Sequence, residues 1–145
     1  MPVVFKDFSD DVIKKINACG VAWLEEASGA VEGQTKKNTK VAKVNGGRTK
    51  DSWEHIVHNS KLEAEVGSRY KNAIWEEFGT GIEALNGDGR KTPWVYPDPN
   101  GKLNKKGKLV FYTTVGKKPR RPFHKAYTSL KNKLIKSAQT RFKEL

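Results

Sequence analysis

The sequence predicts an α+β domain: an antiparallel sheet of about four strands, arranged as two hairpins and covered by an N-terminal and a C-terminal helix, with long flexible loops. Three observations predict it. Apolar residues recur at three- and four-residue steps near both ends of the chain. β-prone runs occupy the middle, and clusters of Gly, Pro, Asn and Asp separate them. The 145 residues leave room for one domain of ordinary size, about 100–200 residues.

At the N-terminal end, Phe8, Val12, Ile16, Cys19, Trp23, Ala27 and Ala30 form one stripe, so residues 9–32 read as a helix. Ser9 is the expected N-cap, Asp10 and Asp11 suit the first turn, and Gly33 is the expected stop. Residues 33–50 hold six basic side chains, no acidic one and little periodicity, and are expected to be a flexible basic loop. Residues 52–66 read as a hairpin: a β-prone run through His58, a turn at Asn59-Ser60, then Leu62, Ala64 and Val66 alternating with charges. Residues 70–81 read as a short helical or irregular segment that Gly79-Thr80-Gly81 ends. A second hairpin is expected over 93–115, carrying a flexible basic arm at 97–108. Pro119 and Pro122 open a last helix, 120–144, with Phe123, Ala126, Tyr127, Leu130, Leu134, Ala138 and Phe142 as its apolar stripe.

Composition narrows the function classes. The formal net charge is +12, and it is unevenly placed. Residues 1–100 carry a balance of −1, whereas residues 101–145 hold fourteen basic side chains and one acidic, Glu144. Such asymmetry points to an acidic partner, nucleic acid or protein, rather than to a membrane. No run approaches the roughly 18 apolar residues of a membrane span, and the first residues lack a signal-peptide layout. The single cysteine, Cys19, excludes an internal disulfide and sits on the apolar stripe, where it reads as a small hydrophobe.

The residues give little sign of catalysis. His55 and His58 lie three apart in a predicted strand and so face opposite ways, which prevents joint chelation. His124 is the third histidine. Gly87-Asp88-Gly89-Arg90-Lys91-Thr92 lacks the spacing of a phosphate loop. Glu76 and Glu77 are adjacent and diverge on either kind of element, which disfavours a shared-proton pair. No catalytic residue, metal ligand or cofactor is therefore expected.

Three segments, in order, resemble the minor tail and head–tail joining (tail-completion) proteins of long-tailed phages. The first family signature is Pro-x-x-Thr-Gly-x-Leu-Arg-x-Ser. Against it, Gly47-Arg48-Thr49-Lys50-Asp51-Ser52 keeps the glycine, a basic residue and the serine, while Lys43, Gly46 and Thr49 replace proline, threonine and leucine. The second is Tyr-Ala-x-aromatic-x-Glu-Phe-Gly-Thr. Here Asn72-Ala73-Ile74-Trp75-Glu76-Glu77-Phe78-Gly79-Thr80 matches at each named position but the tyrosine. Against the third, Pro-Phe-x-x-Pro-Ala, Pro122-Phe123-His124-Lys125-Ala126 keeps the first proline and the phenylalanine, with Ala126 standing at the second proline.

The resemblance implies a non-enzymatic virion subunit of the neck or upper tail, assembling as a ring of six between head connector and tail tube after a period in the host cytoplasm. Its expected partners are copies of itself, a head-completion protein and a tail-tube protein, with DNA in the channel. A lone chain is expected to stay monomeric until a template orders its loops. The assembly residues expected from motif and loops are Trp75, Glu77, Phe78, Gly79 and Thr80, with Lys36, Lys37, Lys40, Lys43, Arg48, Lys102, Lys105, Lys106 and Lys108. Trp75 and Phe78 are expected to anchor the turn, with Glu77 beside them. Lys117, Lys118, Arg120 and Arg121 are the expected contacts to DNA or an acidic partner. The alternative is a nucleic-acid-binding module whose basic C-terminal third tracks phosphates while Trp94, Tyr96, Phe111 or Tyr112 stacks on bases.

Overall fold

A computed structural model describes Val4 and residues 6–41 and 46–145. In order, the elements are α1 (Ser9–Asn38), α2 (Arg48–Asp51), β1 (Trp53–His58), β2 (Glu63–Ser68), α3 (Lys71–Phe78), β3 (Thr80–Gly81), β4 (Trp94–Pro97), β5 (Phe111–Thr114), β6 (Gly116–Lys117) and α4 (Pro122–Lys143). The fold is α+β, with antiparallel strand pairs flanked by the N- and C-terminal helices. Among the described residues the strands form three two-stranded sheets, β1–β2, β3–β6 and β4–β5, instead of joining into one. No described helix is long and apolar enough to cross a membrane.

The first helix differs from expectation at both ends. Ser9 is its first residue rather than its cap, and the Asp7 carboxylate accepts the Ser9 N–H at 2.9 Å. Gly33 does not stop it; the helix continues to Asn38, so residues 33–38 are helical and not loop. The reason lies in Ser28, Thr35 and Thr39. Each hydroxyl donates to the carbonyl four residues back, at 2.6, 2.7 and 2.8 Å, which lets polar side chains lie in the interior. Thr35 is fully buried. Of the expected loop, Arg48 and Lys50 fall in α2, and residues 42–45, Lys43 among them, lie outside the described residues.

α1 packs on α4 and on the β1–β2 hairpin. A Cβ on Gly20 would approach Leu62 and Phe142, Arg141 pairs with Glu26, and the Asn38 amide donates to the Pro122 carbonyl at 3.1 Å, so α1 and α4 run antiparallel. The start of α4 reaches the sheet through Phe123, whose ring stacks on Trp53 at 6.2 Å between centroids. Trp53, Val57, Ala64 and Val66 take the alternate positions that face α1, in the register Trp53↔Ser68 to His58↔Glu63.

The core is small. Among the described residues only Ala27, Val31, Trp53, Ala73 and Ala126 are buried hydrophobics. Residues 6–18, which lead into α1 and form its first turns, are exposed throughout, including Phe8, Val12, Ile13 and Ile16. The apolar stripe thus runs on past the body of the domain.

Candidate functional site

The second and third motifs meet. α3 places Ala73, Glu76 and Glu77 on one face at i, i+3 and i+4, and that face is the buried one. The Glu77 carboxylate accepts the N–H of Phe123 at 2.9 Å through Oε2 and that of His124 at 3.0 Å through Oε1. These are two of the amides that a helix beginning at Pro122 leaves without partners, at the positive end of its dipole. A carboxylate from α3 therefore caps α4. Glu76 acts beside it: its carboxylate pairs with Lys117 and with Arg120 at 3.4 Å. Its carbonyl oxygen accepts the N–H of Arg120 at 2.8 Å and of Arg121 at 3.1 Å.

Around this junction the backbone at 79–81 runs almost in contact with that at 115–117. Thr80 pairs with Lys117 and Gly81 with Gly116, and the Thr80 hydroxyl accepts the Lys117 N–H at 3.0 Å. Gly81 has φ +63°, and a Cβ there would lie 2.0 Å from the Val115 carbonyl oxygen. At Gly79, φ +75°, a Cβ would lie 2.7 Å from the Lys117 carbonyl oxygen. These two glycines are required by space as well as by backbone angle.

Several expected roles change. Trp75 and Phe78 are not buried anchors: they are 49% and 44% exposed, whereas Glu76 and Glu77 are buried. The carboxylates can turn inward because cations and helix amides satisfy them, and helical spacing then turns the aromatics outward. Of the four expected DNA or acidic-partner contacts, Lys117 and Arg120 pair with Glu76 and Arg121 is half-buried. Lys118 alone of them is exposed and outside that ion-pair cluster. Lys36 is half-buried and pairs with Glu32, while Lys37, Lys40 and Arg48 are exposed.

The arm at 97–108 is ordered rather than flexible. It extends the β4–β5 hairpin through the Leu103↔Leu109 bridge and through bonds from Asp98 N–H to the Val110 carbonyl and from Val110 N–H to the Lys102 carbonyl. Asp98 Oδ1 accepts the Asn100 N–H at 2.8 Å, and Asn104 Oδ1 accepts those of Lys106 and Lys108 at 2.9 and 3.0 Å, so two side-chain turns hold its shape. The bond from the Asn100 amide, with Tyr112 adjacent, lowers the Asp98 pKa, and Asp98 in turn raises that of Tyr112. Lys102, Lys105, Lys106 and Lys108 are all exposed on it. Tyr96 and Tyr112 pack across the hairpin at 5.9 Å, and Arg90 lies 5.8 Å from the Trp94 ring centroid.

One ionisable cluster had only a weak signal in the sequence. His55 lies between two α1 carboxylates, with Nδ1 on Glu32 and Nε2 on Glu25 at 3.3 Å. Glu25 and Glu32 are seven apart and so share a helix face, the one sequence signal by which the cluster could be found. The Glu32 hydrogen bond raises the His55 pKa; Lys36 first, then His55, lowers that of Glu32. His58 faces the other way and approaches Glu65 at 3.5 Å. Among the described residues no three His, Cys, Asp or Glu side chains converge as a metal site would require.

A cavity of about 370 Å³ opens between the hairpin, α3 and α4, lined chiefly by Trp53, Val66, Ile74, Phe78, Phe123 and Tyr127. Its polar lining includes Glu77, whose carboxylate is already committed to α4. Compared with family models, with curated proteins and with solved structures, the chain matches none.

Proposed function

We propose that the chain is a non-enzymatic structural subunit that works by assembling with copies of itself, in the manner of the phage neck and upper-tail proteins its motifs resemble. One observation carries the proposal. The accessible surface is 11122 Å², whereas a compact monomer of this mass exposes about 7,500 Å². The excess is on the order of 3,500 Å², the scale of an obligate interface. Much of the exposed area is apolar: Phe8 just before α1, Val12 and Ile16 on it, Trp75 and Phe78 on α3, and Val95 and Phe111 on the second hairpin. An isolated two-stranded hairpin is at best marginal in water, so one held out from the body is best explained by a surface that receives it.

The engagement of Lys117 and Arg120 with Glu76 weighs against the nucleic-acid-binding alternative, since those cations neutralise a carboxylate in the same chain. In the proposed role the ring stands between head connector and tail tube, with six subunits as the resemblance implies, in virions. Electron microscopy of tailed particles carrying a gold-labelled copy of this chain tests the location. The label is expected at the neck or upper tail; particles that lack it there would remove the phage role.

A further inference from the structure

The outer face of the β1–β2 hairpin is uncovered. The register puts Glu54 opposite Gly67, Ile56 opposite Glu65 and His58 opposite Glu63, all on the side away from α1. Three glutamates thus surround Ile56, which is 41% exposed. Nothing lies within 4 Å of a Cβ built on Gly67, so the end of the face away from the turn is an open notch beside Ile56. Lys61 and Arg69 stand at its margins; Arg69 pairs with Glu54 at 3.2 Å and His58 with Glu65 at 3.5 Å, but Glu54 and Glu65 remain 52% and 75% exposed. Such solvated pairs are weak and exchange readily for better ones.

The β4–β5 arm has the complementary character. It presents four exposed lysines and, between them, Leu103 and Leu109, 55% and 47% exposed across their bridge. Its side-chain turns fix the shape before any encounter, which lowers the ordering cost of binding. We infer that the lysine-bearing arm of one copy seats on the glutamate-bearing outer face of the β1–β2 hairpin in the next, with Leu103 and Leu109 against Ile56 and the Gly67 notch. The two patches are different, so the contact is heterologous, and repetition closes a ring or runs on as a filament. Opposite charges at the rim speed encounter and fix orientation, while the apolar centre supplies the lasting contact.

This inference rests on the proposed assembly, and sedimentation velocity separates the two. The probes are the wild-type chain, an arm variant (K102E, K105E, K106E, K108E) and a face variant (E54K, E63K, E65K). All seven side chains are exposed, and circular dichroism verifies that each variant folds. Wild type is expected to form oligomers that weaken as salt rises from about 0.05 to 0.5 M. Each variant alone is expected to self-associate at least about tenfold more weakly. Their equimolar mixture is expected to recover, because the acidic arm then meets the basic face and the basic arm the acidic one. Variants that assemble like wild type, or a mixture that stays monomeric beside an assembling wild type, overturn this contact and leave the assembly reading standing. Because the arm already holds its shape in the lone chain, self-association needs no template to order it, and a wild type that stays monomeric overturns the assembly reading itself.

Discussion

Glu77 is the residue on which the junction turns, because its two oxygens complete the N-terminus of α4 from a distant helix. Glu77→Ala leaves two part-buried helix amides without their acceptor and is expected to lower stability by about 1–2 kcal/mol. Urea unfolding checks this: the midpoint falls with an unchanged slope, and Glu77→Gln, which keeps an acceptor oxygen, loses less. Gly81→Ala is expected to be more severe, above about 3 kcal/mol. Its methyl would meet the Val115 carbonyl oxygen at 2.0 Å while the backbone holds φ +63°. A thermal scan showing an unchanged Tm would contradict the crossing. At His55 the sign follows from the raised pKa. Its contribution is complete below the ordinary 6.5 and is lost as pH rises through the higher folded value. Glu32 contributes in the opposite sense, fully above the ordinary 4.5 and lost as pH falls through its lowered value. A pH series of unfolding midpoints checks both, and His55→Gln is expected to flatten the alkaline limb.

At the scale of elements, the helix that replaces the expected loop over residues 33–38 makes a direct prediction. The amides of Lys36, Lys37 and Asn38 are expected to exchange with solvent deuterium slowly, as those of the middle of α1 do. Loop-like exchange there would contradict the continuation. This segment also shows what the sequence could reveal and what it could not. The stripes of α1 and α4, the alternation of 62–66 and the proline before Phe123 are local signals, and each element they mark is present. The end of α1 was hidden because Thr35 reads as a loop residue until its hydroxyl is seen bonded to the Val31 carbonyl. Likewise, no periodicity tells that Glu76 and Glu77 turn inward; that depends on Lys117, Arg120 and the start of α4, some 40 residues away in the chain. The lysine arm looked flexible for the same reason, since composition does not show that Asp98 and Asn104 build its turns.

For the whole molecule, the imbalance between a thin core and a broad apolar surface is the central claim. Small buried side chains such as Ala27, Ala73 and Ala126 contribute little transfer free energy each. Meanwhile the α1 overhang, the outer face of α3 and the second hairpin leave large side chains in water. The protein is therefore expected to gain stability with concentration, as subunits of an assembly do. A Tm that rises between about 1 and 100 µM chain would accord with that. The most direct measurement is the mass of the purified chain in solution by multi-angle light scattering. A discrete multiple of 16.3 kDa is the predicted result, and a steady 16.3 kDa up to about 100 µM, where even weak obligate contacts are populated, would contradict it.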